Sequence, residues 1–273
     1  NIRWPDTALA QEARLIDHKL YAALAFCRAN GINKTVIDSP SARFGIVATG
    51  KAFQDTLQAL NDLGLNPQRC AEIGLRVYKV GMVWPLDAVG IREFAKGLQE
   101  ILVIEEKRQL VEYQIKEELY AWREDVRPKV YGKFDERLSE DGREGGEWSL
   151  PQGNWLLPSH YELDPALIAQ AIAKRLRHVQ LPADIKTRID QRIAAIAHSH
   201  DVGHSTHLPV ERKPYFCSGC PHNTSTKVPE GSRAMAGIGC HYMAVWMDRN
   251  TQTYTQMGGE GVPWIGQAPF TQT

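Results

Sequence analysis

Phe44-Gly45-Ile46-Val47-Ala48-Thr49-Gly50-Lys51-Ala52 is an apolar run that stops at a glycine and leads straight into an amphipathic stretch, Ala52 to Leu63. A run of this length suits a strand buried on both faces that turns directly into a helix. Leu75 to Val80 and Ile101 to Glu105 repeat the apolar run. Leu86 to Leu98 and Gln109 to Trp122 repeat the amphipathic one, with Gly64, Gly81 and Pro85 as stops. This β-α-β-α-β-α order predicts an α/β fold, a three-layer domain with a mostly parallel sheet, from about Asn33 to Arg127. The opening stretch also nearly has the spacing of a phosphate-binding P-loop. Its four intervening residues are the strand itself, and Ala52 stands where a magnesium-binding hydroxyl is needed, so it reads as a strand-to-helix turn. Such a turn at the carboxyl end of a strand still points helix N–H groups outward, where an anion can be held.

Upstream, Asp6 and Thr7 are good N-caps, and Leu9, Ala13, Ile16, Leu20 and Leu24 recur at helical spacing up to Asn30-Gly31. Residues 1–32 are therefore expected to hold a helix that lies on a core and joins the domain to a preceding one. Downstream of Pro128 the composition shifts to Gly, Pro and charge, as in Asp141-Gly142-Arg143-Glu144-Gly145-Gly146-Glu147, so Val130 to Ser159 reads as a long irregular surface connection. Helices are expected at Asp164 to Val179 and Ala183 to His198, divided by Pro182, before a polar, turn-rich stretch from His200 to Pro214. Residues 128–214 thus form a connector with two helices, and residues 215–273 carry the chemistry.

Composition narrows the function classes. The chain has 273 residues, long enough for two modest domains, with 32 basic and 32 acidic side chains. With no net field and no basic patch, nucleic acid is not the expected partner. No apolar run approaches the roughly 20 residues of a membrane span, and Asn1-Ile2-Arg3-Trp4-Pro5 lacks the basic-then-apolar plan of a signal peptide. Five cysteines are an odd number for a disulfide framework. Three of them fall between Cys217 and Cys240, which points to metal or redox chemistry in a reducing cytoplasm. A first residue other than Met and a Gly-rich, aromatic ending from Gly258 to Thr273 raise the expectation of a piece of something longer.

Three groups of polar residues compete for a chemical role. His198, His200, His204 and His207 can hold zinc or nickel in principle, but they sit in a stretch that reads as solvated linker. Glu105-Glu106, at a strand end and followed by Lys107-Arg108, suits a helix-start charge role or an interface better than acid-base catalysis. Cys27 and Cys70 are isolated and read as small buried side chains. The specific constellation is Phe216-Cys217-Ser218-Gly219-Cys220-Pro221-His222 followed by Gly237-Ile238-Gly239-Cys240-His241. Two cysteines separated by two residues bring both sulfurs to one side of a tight turn, and Cys240 can join from a second loop. Such thiolates suit tetrahedral zinc completed by His222 or His241, or a cubane iron-sulfur cluster with one further cysteine. Spacing alone leaves the metal open.

These two loops, together with Gln256-Met257-Gly258-Gly259-Glu260-Gly261-Val262-Pro263-Trp264-Ile265-Gly266-Gln267-Ala268-Pro269-Phe270, resemble the indolepyruvate ferredoxin oxidoreductases in their long fused bacterial form. These belong to the 2-oxoacid:ferredoxin oxidoreductases. The segment from Phe44 to Ala52, with Gly81-Met82-Val83-Trp84-Pro85-Leu86 and Val103-Ile104-Glu105-Glu106-Lys107, is similar to their transketolase C-terminal-like domain. The resemblance implies oxidative decarboxylation of an aryl 2-oxoacid to an acyl-CoA, with thiamine diphosphate and Mg2+ as cofactors and electrons passing through iron-sulfur clusters to ferredoxin. It further implies that residues 215–273 begin a thiamine-diphosphate-binding domain, and that Cys217, Cys220 and Cys240 ligate a [4Fe-4S] cluster with a fourth cysteine from farther on. By the same resemblance Gly239, His241, Gly258, Gly259 and Glu260 lie toward the thiamine cofactor, and the enzyme is a homo-oligomer. The family's magnesium-diphosphate motif is expected just after Thr273, and the glutamate that activates the aminopyrimidine before Asn1, so these residues alone are not expected to catalyse. The reading from a different class is a zinc-stabilised interaction module using Cys217, Cys220, Cys240 and a histidine.

Overall fold

The chain enters as helix α1 (Ala8–Arg14), passes a π turn (Leu15–Lys19) and continues as α2 (Leu20–Ala29). Thr7 caps it as expected, its hydroxyl accepting from the Ala10 N–H at 3.2 Å. The structure, a computed structural model, describes residues 6–135, 154–205 and 212–272. Only Cys27 of this long helix is buried. Leu9 and Ile16 are 76% and 50% exposed, which corrects the expectation that the helical stripe lies on a core. The last turn of α2 reaches the body of the domain, where Arg28 pairs with the buried Asp87 at 2.7 Å.

Among the described residues, β1 (Lys34–Ile37), β2 (Phe44–Thr49), β3 (Leu75–Val80), β4 (Glu100–Ile104) and β5 (Lys129–Tyr131) form one sheet in the order β1-β3-β2-β4-β5. All pairings are parallel except that of the edge strand β1 with β3. In register, Phe44 of β2 stands between Leu75 of β3 and Glu100 of β4. Side chains alternate across the sheet, and the two cores follow that period. Phe44, Ile46, Ala48, Leu75, Val77, Leu102 and Ile104 face one side; Val47, Tyr78, Val80, Ile101 and Val103 face the other. Helices α3 (Gly50–Asp62), α4 (Pro67–Glu72), α7 (Pro165–Leu176) and α8 (Ala183–Ser205) cover the first core. The second is covered by α5 (Ala88–Ala95) and α6 (Val111–Leu119). The three-layer α/β expectation is therefore met. At Gly45 a Cβ would lie 2.5 Å from Leu98 Cδ1 and 2.8 Å from Phe94 Cζ, so the absence of a side chain there lets the second layer close on β2.

Domain limits differ from the sequence reading. The α/β unit does not end at Arg127: β5 follows directly, and α7 packs into the same core as α3. One buried ion network holds this extension. The Arg175 guanidinium, on α7, makes two 2.6 Å bonds to the Glu100 carboxylate of β4, bonds Asp135 just beyond β5, and lies 4.0 Å over the Tyr131 ring. Val130 to Ser159 is not a surface connection throughout either, since Lys133, Phe134 and Leu157 are buried. The run Asp141 to Glu147 lies outside the described residues. The chain divides into two compact units at Gly203/His204, neither at Arg127 nor at Pro214. α8 continues to Ser205, so His198, His200 and His204 stand on a helix and not in a linker, while His207 lies outside the described residues.

The second unit is small and loop-rich. Strands β6 (Ala234–Met235) and β7 (Thr251–Gln252) pair in parallel, with a 3-10 helix, Gly239–Trp246, between them. Helices α9 (His222–Ser225) and α10 (Val262–Gln267) and a 3-10 turn, Ala268–Phe270, are its other regular elements among the described residues. No helix among the described residues is long and apolar enough to cross a membrane.

Candidate metal centre

Residues Cys217 to Cys220 form the turn that the spacing requires. The Cys220 N–H donates to the Cys217 carbonyl at 3.1 Å, and Gly219 sits at φ 75°, a backbone state open to glycine and strained for other residues. Asn223 holds the turn from below, its side-chain amide donating to the Cys217 carbonyl at 3.0 Å. Arg249, which sequence reasoning missed, fastens the same loop from 23 to 26 residues away. Its guanidinium donates to the Asn223 carbonyl and the Thr226 hydroxyl at 2.9 and 3.0 Å and lies over the ring of the buried Phe216 at 5.7 Å. A lone arginine in a polar stretch carries no sequence signal for this role.

Cys217 and Cys240 are exposed, Cys220 is half-buried, and none of the three is in a disulfide. The Cys220 sulfur lies 3.3 Å from His222 Nδ1. The His222 ring stacks on Phe216, with centroids 5.2 Å apart, and meets the edge of His241 at 6.1 Å. The loop carrying Cys217 and Cys220 therefore touches the loop carrying Cys240 through two imidazoles. His241 is itself fixed, because its Nδ1 accepts from the Gly237 N–H at 2.7 Å. Among the described residues no three His, Cys, Asp or Glu side chains stand close enough to hold one metal ion. The structure thus brings together the two loops but not an assembled ligand set. In donor chemistry the residues fit a thiolate-bound centre: three soft sulfurs, two on one tight turn, all at least partly accessible. Cys70 is the contrast, since burial pushes its thiol up to about 12, leaving it protonated and inert. Gly258, Gly259 and Glu260 make a separate loop, in which the Glu260 carboxylate turns back to accept from the Gly258 N–H at 2.8 Å.

The first unit has a charged crevice of ≈ 380 Å³ at the carboxyl ends of β2 and β4, lined in part by Thr49, Lys51, Glu105 and Lys107. Lys51 does not act as a P-loop lysine; its ammonium bonds Asp55, Glu162 and the Leu163 carbonyl at 2.6, 3.1 and 2.9 Å. Glu105 and Glu106 take structural parts. The Glu105 carboxylate accepts from the N–H groups of Leu110, Val111 and Glu112 at 3.0, 2.9 and 3.0 Å, capping α6, and Glu106 accepts from the Leu163 N–H at 3.2 Å. Beneath them Lys133 is buried, its ammonium donating to the carbonyls of Glu105 and Pro158 at 2.6 and 3.0 Å. Burial pulls Lys133 below the ordinary lysine value of 10.5, against the raising effect of Glu105, Glu106 and Glu112. Between that lowered value and 10.5 the unfolded chain binds a proton that the folded one has lost, so stability rises with pH across this window. Urea unfolding is expected to show wild type gaining on Lys133→Met as pH is raised toward 10.5; a flat or falling margin contradicts the assignment.

The family model described as the indolepyruvate ferredoxin oxidoreductase middle domain matches residues 33–205, the span from the start of β1 to the end of α8 without the N-terminal helix. Among curated proteins, the chain is similar to indolepyruvate oxidoreductase subunit IorA of Methanothermobacter marburgensis, 26% identical over 80% of this chain and 27% of that protein. The corresponding protein of Pyrococcus horikoshii is 25% identical over 82% of this chain and 29% of that protein. The chain thus spans less than a third of the length of these relatives. Among solved structures, it is similar to a split-gene transketolase, described as an inactive beta4 tetramer, at TM-score 0.34 and 16% identity, covering 54% of this chain and 42% of that one. A 2-oxoglutarate:ferredoxin oxidoreductase from Magnetococcus marinus, with 2-oxoglutarate, coenzyme A and succinyl-CoA bound, gives TM-score 0.26 and 17% identity over 43% and 20%. A family model that coincides with the observed α/β unit and covers most of the chain places it among the indolepyruvate ferredoxin oxidoreductases.

Proposed function

We propose that the chain is part of a thiamine diphosphate- and iron-sulfur-dependent oxidoreductase of the cytoplasm that converts an aryl pyruvate such as indolepyruvate to its acyl-CoA and passes the electrons to ferredoxin. Cys217, Cys220 and Cys240 are the thiolate ligands that this chain gives to a [4Fe-4S] cluster. The observation that carries the reading is the meeting of the two cysteine loops at His222 and His241, with Cys217 and Cys240 exposed and Cys220 partly so. When bound, thiamine diphosphate supplies carbanion stabilisation and the cluster supplies one-electron acceptance. The residues present would act by holding and shaping. The Gly219 turn presents two sulfurs side by side, Arg249 and Asn223 keep that turn from opening, and Gly237 fixes the His241 ring. Glu260, bonded to the Gly258 N–H, shapes the loop of Gly258 and Gly259, which with Gly239 and His241 would lie at the edge of the thiamine diphosphate site. Homo-oligomers, CoA and the 2-oxoacid belong to the whole enzyme in this reading.

Anaerobic purification of the protein as it occurs in the cell tests the reading. Brown protein with broad visible absorbance and acid-labile sulfide is expected, and each of Cys217→Ser, Cys220→Ser and Cys240→Ser should lose most of that iron. Colourless protein holding stoichiometric zinc overturns it.

A further inference from the structure

We infer that His222 is a positioning residue that donates its Nδ1–H to the Cys220 sulfur and so fixes that thiolate for metal binding. The inference rests on the cysteine reading above. Of the two sulfurs on the turn, Cys217 is exposed and has water to solvate its charge, whereas Cys220 is half-buried. A thiolate withdrawn from water needs a donor, and His222 Nδ1, 3.3 Å from the sulfur, is placed to be one. Once Cys220 is a thiolate, the proton in that contact has to sit on the nitrogen. The ring cannot readily swing away, since it stacks on Phe216 at 24° between planes and abuts His241. Phe216 is in turn buried and covered by the Arg249 guanidinium. His241 is held in the same way but toward a different atom: an Nδ1 that accepts from Gly237 carries no proton and is closed to a metal. The two imidazoles therefore differ in kind, one giving a hydrogen bond to sulfur and the other taking one from backbone. Donors outside the ligand shell set sulfur orientation and basicity, and their loss typically lowers metal affinity about 10–100-fold.

Cobalt(II) titration of the full chain, read by the sulfur-to-cobalt charge-transfer band, tests this with two variants. His222→Phe keeps the stack on Phe216 and removes the N–H. His222→Asn removes the stack and can place an amide N–H near the position of Nδ1. We expect His222→Phe to bind cobalt about 10–100-fold more weakly with the band shifted, and His222→Asn to recover most of the affinity. His222→Phe binding like wild type overturns the proposal, as does His222→Asn binding as weakly as His222→Phe, which would mark the ring as a ligand or a packing element. The cysteine variants separate the two levels. If Cys217→Ser, Cys220→Ser and Cys240→Ser leave the band unchanged, the thiolate reading falls and takes this one with it. If they abolish the band while His222→Phe does not weaken it, only the role of His222 falls.

Discussion

Replacing Arg175 by alanine is expected to lower the unfolding free energy of the first unit by about 3–5 kcal/mol, because it leaves buried carboxylates without their cation. The Arg175 side chain is 1% exposed and its partners Glu100 and Asp135 are 12% and 7% exposed, so water cannot replace the lost guanidinium. Lys174 pairs with Asp135 at 2.6 Å and covers one of the two acids only. The loss should be partly undone in Arg175→Met/Glu100→Gln, in which the arginine and the Glu100 charge are removed together, since a buried ion pair is worth little against an apolar replacement. Urea unfolding followed by far-UV circular dichroism gives both numbers. A single-variant loss below about 1 kcal/mol, the range of an exposed salt bridge, would show that the network is open to solvent.

That network also explains where the sequence reading stopped too early. β2 and β3 are legible to the residue because β2 is uncharged throughout, β3 carries only Arg76 and Lys79 among buried apolar positions, and each is closed by glycine, so local composition and tertiary setting agree. β5 has only Lys129, Val130 and Tyr131 behind a proline, and its place is decided by β4 and by Arg175, 44 residues beyond Tyr131. β1 is an exposed edge strand with two apolar residues, too weak a signal to stand out. α4 was within reach: Asn66-Pro67 is a helix start, and the Asn66 side chain accepts from the Arg69 N–H. Lys133 reads as surface, and only the fold reveals that two backbone carbonyls await its ammonium. The stripe of the N-terminal helix was legible as a pattern, but a stripe does not say which surface it meets. At the candidate centre the cysteine spacing was readable, because a turn of four residues is local chemistry. His222, two residues from Cys220, was within the same readable motif; the clamp from Arg249 was not, because it depends on how segments 23 to 26 residues apart pack together.

Glu105→Ala is expected to cost about 3 kcal/mol, more than its position at a strand end suggests, since one carboxylate closes the start of α6. Its two oxygens accept three N–H groups, and those of Val111 and Glu112 are buried. Each buried donor left without an acceptor costs roughly 1–3 kcal/mol, while fraying of the first turn of α6 and water entering the adjacent crevice limit the total. The substitution also removes a negative charge from beside the Lys133 ammonium. Glu105→Gln keeps the length but offers a single acceptor oxygen, and its NH2 group faces donors, so it should lose about half as much. The pair is read by urea unfolding and by hydrogen exchange at Leu110, Val111 and Glu112. Protection at these amides should fall in both variants, further in Glu105→Ala, while exchange in β2 follows only the global stability. An alanine variant within about 0.5 kcal/mol of wild type, with protection unchanged, would mean that α6 is capped by something other than this side chain.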